Sequence, residues 1–409
     1  MIRKRVPMPP VMRGESPVVE RQVGIAHPEV DLFHVEHLLD DDERNKLHSI
    51  REILSREIRP AVGEFWDREE FPFHLLPVLA RAGLGNLVLS GHSRLFIGLV
   101  YAEVARADIS LSALVGIHNE LILGLVHELS SDQQKDRWLE KLKNFEAVGC
   151  FALTEPEHGS DIAGGLETTA QRDGDEWVIT GAKRWIGAGT FADFAIVWAR
   201  DAADGQAKAF LVETDRPGFT ATKIERKMGL RIMQNADIRL NGVRIPGENL
   251  MPGGEGFDAA NVKLRDSRAW VGWQGVGAQM AAFEIARDYA LERKQFDRPL
   301  AKFQLVQDAL SRMMAGLSTS MALMVRLVQL QEDGGFQMVH AALAKATTTS
   351  SAREAVSVAR GLMGGNGVLR DYEISKVFND VEILYTYEGT YEINSLIVGR
   401  AITGQSAFV

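Results

Sequence analysis

The sequence predicts an α+β protein in three units: an N-terminal all-α domain, a small antiparallel β-barrel or sandwich, and a C-terminal four-helix bundle. Three observations predict it. Apolar residues recur every three or four positions up to about residue 143. Short runs rich in β-branched and aromatic residues, parted by turn dipeptides, fill residues 150–255. Longer three-and-four stripes follow to the end. The division is residues 1–35 as an extended arm, 36–149 as the helical domain, 150–255 as the β domain and 256–409 as the bundle.

The arm is Pro-rich, charged and aperiodic. Met1-Ile2-Arg3-Lys4-Arg5 has the charge of a secretory leader, but Pro7, Pro9 and Pro10 stand where a roughly 7–15-residue apolar core would be needed, so a cytoplasmic location is expected. In the helical domain Leu47, Ile50, Ile53, Leu54 and Ile58 form one stripe, ending at Pro60. Leu111, Leu114, Val115, Ile117, Leu121 and Leu125 form another, and Ser131-Asp132-Gln133-Gln134 reads as a capping box. Strands are expected at Trp177-Val178-Ile179-Thr180, Phe194-Ala195-Ile196-Val197-Trp198, Ala209-Phe210-Leu211-Val212 and Ala236-Asp237-Ile238-Arg239-Leu240, with turns at Asp173-Gly174 and Asn241-Gly242. Phe303, Val306, Leu310, Met313, Leu317, Met321, Met324 and Val328 mark a long helix that stops at Asp333-Gly334-Gly335; a second follows to about Arg360, which implies a bundle.

Composition narrows the function. Apolar residues make up 45% and charged ones 25% of 409 residues, an ordinary globular balance, and no apolar run reaches the roughly 18 residues of a spanning helix, so no membrane insertion is expected. The net charge of −9 opposes nucleic acid as a partner. Cys150 is the single cysteine, and neither C-x-x-C nor H-E-x-x-H occurs, so a buried structural thiol and no metal centre are expected.

Four joints could carry chemistry. In Tyr385-Thr386-Tyr387-Glu388-Gly389-Thr390-Tyr391-Glu392 a carboxylate sits between two helical patterns, with Gly389 breaking the first; Glu388 is a candidate base, although the octapeptide also fits an acidic helix cap. Cys150 to Asp161 runs from a strand through Pro156 into a Gly-Ser turn, with amides and hydroxyls suited to a heterocycle or phosphate. Trp185, in Lys183-Arg184-Trp185-Ile186-Gly187, could stack on that heterocycle or serve an interface. Glu292-Arg293-Lys294-Gln295-Phe296 with Gln304, and Gly364-Gly365-Asn366-Gly367, offer donors and close backbone approach to pyrophosphate.

In this order the motifs resemble the acyl-CoA dehydrogenase superfamily of FAD flavoproteins, over residues 40–408, and are most similar to the glutaryl-CoA dehydrogenase and plant short-chain acyl-CoA oxidase branches. The resemblance implies that Glu388 removes the α-proton of an acyl-CoA thioester while the β-hydrogen leaves as hydride to flavin N5. It implies a thioester carbonyl bonded by the Glu388 amide, beside Gly389. It assigns Phe151, Leu153, Thr154, Ser160, Trp185, Ile186 and Gly187 to the flavin, with Ser160 also near the pantetheine. Arg293, Gln295, Phe296, Gln304, Gly361, Gly364 and Gly365 would hold the ADP part, partly from a neighbouring subunit, which implies a homotetramer; Thr390 and Glu392 would touch the nucleotide. Arg268 would lie at the CoA and base region.

Two positions depart from the family pattern. Gly187 stands where the dehydrogenases carry a threonine that bonds flavin N5, as in the oxidase branch, so the acceptor is either an electron-transfer flavoprotein or similar carrier, or O2. Ser112 stands where the glutaryl branch places the arginine that pairs the distal carboxylate, so a short or branched neutral acyl group is expected. A non-catalytic DNA-associated flavoprotein is the alternative of another class, opposed by Glu388 and the acidic balance.

Overall fold

The computed structural model describes residues 30–407; most of the expected arm lies outside them. The helical unit comprises α1 (Asp41–Ile53), α2 (Arg59–Arg68), α3 (Leu76–Arg81), α4 (Arg94–Ala107), α5 (Ile109–Gly116), α6 (Gly124–Leu129) and α7 (Asp132–Lys143). Asp40 caps α1 by accepting the Glu43 amide at 2.8 Å, and the expected capping box at Ser131 and Gln134 is present in both directions. Pro60 does not end its helix. A π-turn over Leu54–Ile58 joins α1 to α2, and Pro60 falls in the first turn of α2, where the wider spacing absorbs its missing N–H.

The middle unit contains β1 (Gly149–Ala152), the short α8 (Ile162–Gly165), β2 (Thr169–Asp173), β3 (Glu176–Gly187), β4 (Phe194–Asp201), β5 (Ala207–Glu213), β6 (Phe219–Lys223), β7 (Asn235–Pro246) and β8 (Leu250–Glu255). They form one sheet in the order β6-β7-β3-β2-β4-β5-β8, with β1 also on β4. The pairing is mostly antiparallel, as expected, but β1 and β2 run parallel to β4. Cys150 is buried in this sheet, and burial pushes its thiol up to about 12, so it is an inert core group.

The C-terminal unit is built on α9 (Phe257–Glu292), followed by the hairpin β9 (Lys294–Gln295) and β10 (Arg298–Pro299), then α10 (Gln304–Glu332), α11 (Met338–Leu362), α12 (Ile374–Thr386) and α13 (Tyr391–Thr403). This bundle and the N-terminal helices share a single apolar core. Helices α4 and α9 approach closely because glycines face the contact: a Cβ on Gly98 would lie 2.2 Å from the Trp273 ring, and one on Gly277 would lie 2.1 Å from the Ala102 carbonyl. Two helical segments are long and apolar enough to cross a membrane, Ile109–Leu129 and Gln304–Glu332; the first is 89% buried within the protein, which accounts for its apolarity.

The three units meet at Asp380. Its Oδ1 accepts the Trp66 indole N–H at 2.8 Å and the Leu230 amide at 2.6 Å, while Oδ2 pairs with Lys376 at 2.7 Å. Lys376 also pairs with Asp108 at 2.5 Å, so one buried cation serves two buried carboxylates.

Candidate active site

Glu388 lies on the joint between α12 and α13. The helix ends at Thr386, earlier than the expected break at Gly389, and Tyr387 is extended. Glu388 and Gly389 then both take left-handed backbone, φ 54 and φ 81, before Thr390 caps α13 by accepting the Ile393 amide at 3.3 Å. Ser267, on α9, donates to Glu388 Oε2 at 2.7 Å. Among the described residues Oε1 and the backbone N–H of Glu388 make no hydrogen bond, so both are free for a ligand.

Gly389 is required by space as well as by φ, because a Cβ there would lie 2.9 Å from the Arg268 guanidinium. Arg268 is buried rather than on an open CoA surface. It donates to Asn394 Oδ1 at 3.0 Å, and burial holds it below its ordinary pKa against the pull of the Glu388 charge. Asn394 Nδ2 in turn donates to the carbonyls of Gly389 at 2.8 Å and Thr390 at 2.9 Å. Lys345 of α11, fully buried, donates to the Gly389 and Tyr385 carbonyls. Glu392 is exposed.

A polar chain runs inward from the base. The Tyr387 hydroxyl donates to Gln274, Gln274 Nε2 donates to Ser112 at 2.9 Å, and Ser112 donates to the Tyr101 carbonyl at 3.3 Å. Ser112, expected to touch the acyl end, is instead fully buried with its hydroxyl committed to the core, because α5 presents it to helices α4 and α9. Trp270 lies between the rings of Tyr101 and Tyr387, at 6.2 and 6.0 Å, and rests on Gly116. Beyond it Glu120 accepts the Tyr101 hydroxyl at 3.0 Å, and burial pushes its carboxyl up to about 7.

The expected flavin residues sit at neighbouring strand ends. Thr154 follows β1, and its carbonyl accepts the Arg184 amide of β3 at 2.8 Å. A buried pair, Lys183 with Glu155 at 2.8 Å, fastens this junction; Glu155 also accepts the Glu167 and Thr168 amides. Leu153 and Ile186 are buried, Phe151 and Thr154 half-buried, and Ser160 exposed in the turn before α8. Trp185, φ 63, is 52% exposed, which suits a planar ligand better than a core role. Gly187 is enclosed: a Cβ there would lie 2.7 Å from Met233 Cε.

Arg293, Gln295, Phe296 and Gln304 are exposed around the β9–β10 hairpin. Gly361, Gly364 and Gly365 lie at the same end of α9, where Asn366 donates to Tyr289 at 2.9 Å, and the space above all three is open, as close approach of a pyrophosphate requires. Ser267 lies in the first third of α9 and Arg293 caps its C-terminal end, roughly 40 Å away at 1.5 Å per residue. Within one chain the structure therefore joins the base to Ser267, Arg268 and Lys345, and the Arg184 neighbour of Trp185 to Thr154, but not the hairpin to Glu388. Sequence reasoning missed Ser267, Lys345, Asn394 and Gln274; a lone lysine in the alanine-rich stretch at 341–346 was the one visible signal.

Acyl-CoA dehydrogenase N-terminal, middle and C-terminal domain models match residues 40–146, 150–243 and 254–403. The chain belongs to the acyl-CoA dehydrogenase family. It is 32% identical over 363 residues to the mitochondrial short-chain specific acyl-CoA dehydrogenase of Mus musculus, covering 85% of this chain and 87% of that one. The glutaryl-CoA dehydrogenase of Mycobacterium smegmatis in complex with FADH2 superposes with TM-score 0.89 at 33% identity, covering 93% of this chain and 99% of that one. A chain of a structure described as the electron transferring flavoprotein of Acidaminococcus fermentans gives TM-score 0.85 at 28% identity, covering 90% and 99%. The enzyme is thus an FAD-dependent oxidoreductase of a family whose substrates are acyl-CoA thioesters, and the open Trp185 face and glycine turn fit that cofactor.

Proposed function

We propose that the enzyme oxidises a short, neutral acyl-CoA thioester to its trans-2-enoyl-CoA, with Glu388 as base. The observation that carries this is the Glu388 joint: Oε2 is held by Ser267 while Oε1 and the backbone N–H are free. Oε1 takes the α-proton. The N–H donates to the thioester carbonyl, where negative charge develops, and both are fixed in advance by the two left-handed residues. FAD, when bound, would supply the acceptor for the β-hydrogen and its electron pair, leaving the Cα=Cβ bond in the product. Trp185 and Ile186 would flank its ring system; Phe151, Leu153, Thr154, Ser160, Thr390 and Glu392 would line the rest of the near half.

Two features support a short and uncharged acyl group. Trp270, 2% exposed, fills the space beyond the base. Two cations of this region are already committed, Arg106 to Glu103 and Glu284 and Lys263 to Glu128, so neither is available to pair a terminal carboxylate. The likeness to a glutaryl-CoA dehydrogenase keeps a dicarboxylyl substrate as the second reading.

The separation along α9 supports a homotetramer in which a neighbour's hairpin and glycine turn hold the ADP half; Phe296 and Leu305, 87% and 85% exposed, mark that surface. An electron-transfer flavoprotein or similar carrier reoxidises the enzyme in this reading, and its place is the cytoplasm. The enclosed Gly187 favours O2 as the competing acceptor, because no hydroxyl stands at that position.

The test is anaerobic bleaching of the flavin by butyryl-, isobutyryl-, octanoyl- and glutaryl-CoA, followed by admission of air. Bleaching by butyryl- or isobutyryl-CoA with slow reoxidation is expected. Strong bleaching by glutaryl-CoA would overturn the neutral-acyl assignment, and reoxidation within seconds would make the enzyme an oxidase.

A further inference from the structure

Lys345 carries an ammonium group into the interior with no ion-pair partner among the described residues. Desolvation of such a group costs several kcal/mol, and burial accordingly pushes its pKa down to about 7, against the pull of the Glu388 charge. A methionine of similar length would fill the same space without that cost, so packing does not account for the charge. What the ammonium touches does. It donates to the carbonyl of Tyr385, at 3.3 Å in the last turn of α12, and to that of Gly389, directly after the base. Glu388 lies between these two anchors and is itself a non-glycine residue with φ 54, a conformation that costs about 1 kcal/mol and persists only where the surroundings impose it.

We propose that Lys345 is a positioning residue: by gripping the carbonyls on both sides of Glu388 it fixes the direction of the carboxylate and of the Glu388 N–H together. This rests on the reading of Glu388 as the base. Asn394 also donates to the Gly389 carbonyl and is itself held by Arg268, so that carbonyl is gripped by two side chains, from α11 and α13, with a third from α9 behind them. Releasing the lysine frees the α12 side of the clamp while leaving Ser267 in place on Oε2.

The experiment compares Lys345→Met and Lys345→Gln with the wild-type holoenzyme. It uses anaerobic flavin reduction by butyryl-CoA and the long-wavelength absorbance formed when bound acetoacetyl-CoA ionises beside the flavin. That band reads polarisation of the thioester rather than folding. In Lys345→Met the limiting reduction rate is expected to fall on the order of 100-fold, with KM little changed and the band weakened. Lys345→Gln, which keeps a donor, is expected to recover part of both. FAD content and thermal midpoint are measured alongside. A wild-type rate and band in Lys345→Met overturns the inference, as does a rate loss accounted for by lost FAD. Should the methionine variant not fold, a glutamine variant with undiminished rate and band overturns it equally. A Glu388→Gln enzyme that still bleaches at the normal rate sinks the base assignment itself; a dead Glu388→Gln beside a fully active Lys345→Met sinks the lysine inference alone.

Discussion

Ser267 Oγ donates a 2.7 Å hydrogen bond to Glu388 Oε2 across 121 residues of sequence. The bond ties the first third of α9 to the joint after α12 and leaves Oε1 the open basic atom. A hydrogen bond to a charged group contributes about 1.5–3 kcal/mol. Ser267→Ala should therefore slow flavin reduction by roughly 10–100-fold with KM little affected, measured by anaerobic stopped flow. An unchanged rate would remove Ser267 from the machinery. Glu388→Gln should lose about 1,000-fold or more, since general-base contributions reach about 10,000-fold.

Asp380 joins the three units through Trp66, Leu230 and Lys376. Its replacement by alanine leaves Lys376 with Asp108 alone and strands two buried donors. Breaking a buried pair in this way costs about 3–5 kcal/mol. Asp380→Ala should lower the thermal midpoint by several degrees and raise susceptibility to proteolysis, whereas an unaltered midpoint would show that the junction contributes no net stability.

Glu120 makes stability depend on pH. Its folded value, pushed up to about 7 by burial, stands above the roughly 4.3 of an unfolded glutamate. The sign follows: the folded chain holds this proton more tightly, so the contribution is whole below about pH 4.3 and is lost as the pH rises through 7. Because the side chain is only half-enclosed, the effect is discounted to about 1–2 kcal/mol. Glu120→Gln should gain thermal stability over the wild type at pH 8 and lose that advantage near pH 5. An equal difference at both pH values would contradict this.

Gly187 has no room for a side chain while Met233 stays in place. Gly187→Thr should cost about 1–3 kcal/mol of stability through overpacking. Adding Met233→Ala should restore most of it. In the double variant, reoxidation of the reduced flavin by air should slow relative to wild type, and an unchanged rate would separate the acceptor from this position.

Much of the architecture was legible because local patterns report burial. The three-and-four stripes and the alternating runs placed most long helices and the central strands, and the capping box at Ser131 is a rule of local hydrogen bonding that needs no tertiary contact. Pro60 misled for a physical reason: proline lacks a donor, yet a π-turn ahead of it removes the conflict, and no residue type announces a π-turn. The parallel pairing of β1 and β2 with β4 was invisible as well, since alternation fixes which face is buried and not which strand lies alongside.

By itself the sequence determined the helical and β units, the carboxylate at the α12–α13 joint and the motifs that mark the family, because each is written in neighbouring residues. Tertiary structure alone decided how that carboxylate is held. Ser267, Lys345 and Asn394 come from three helices, and a hydrogen bond across the fold leaves no trace in local spacing. It also decided that Ser112 is enclosed and that Gly187 faces Met233, because burial of a small residue depends on what packs against it.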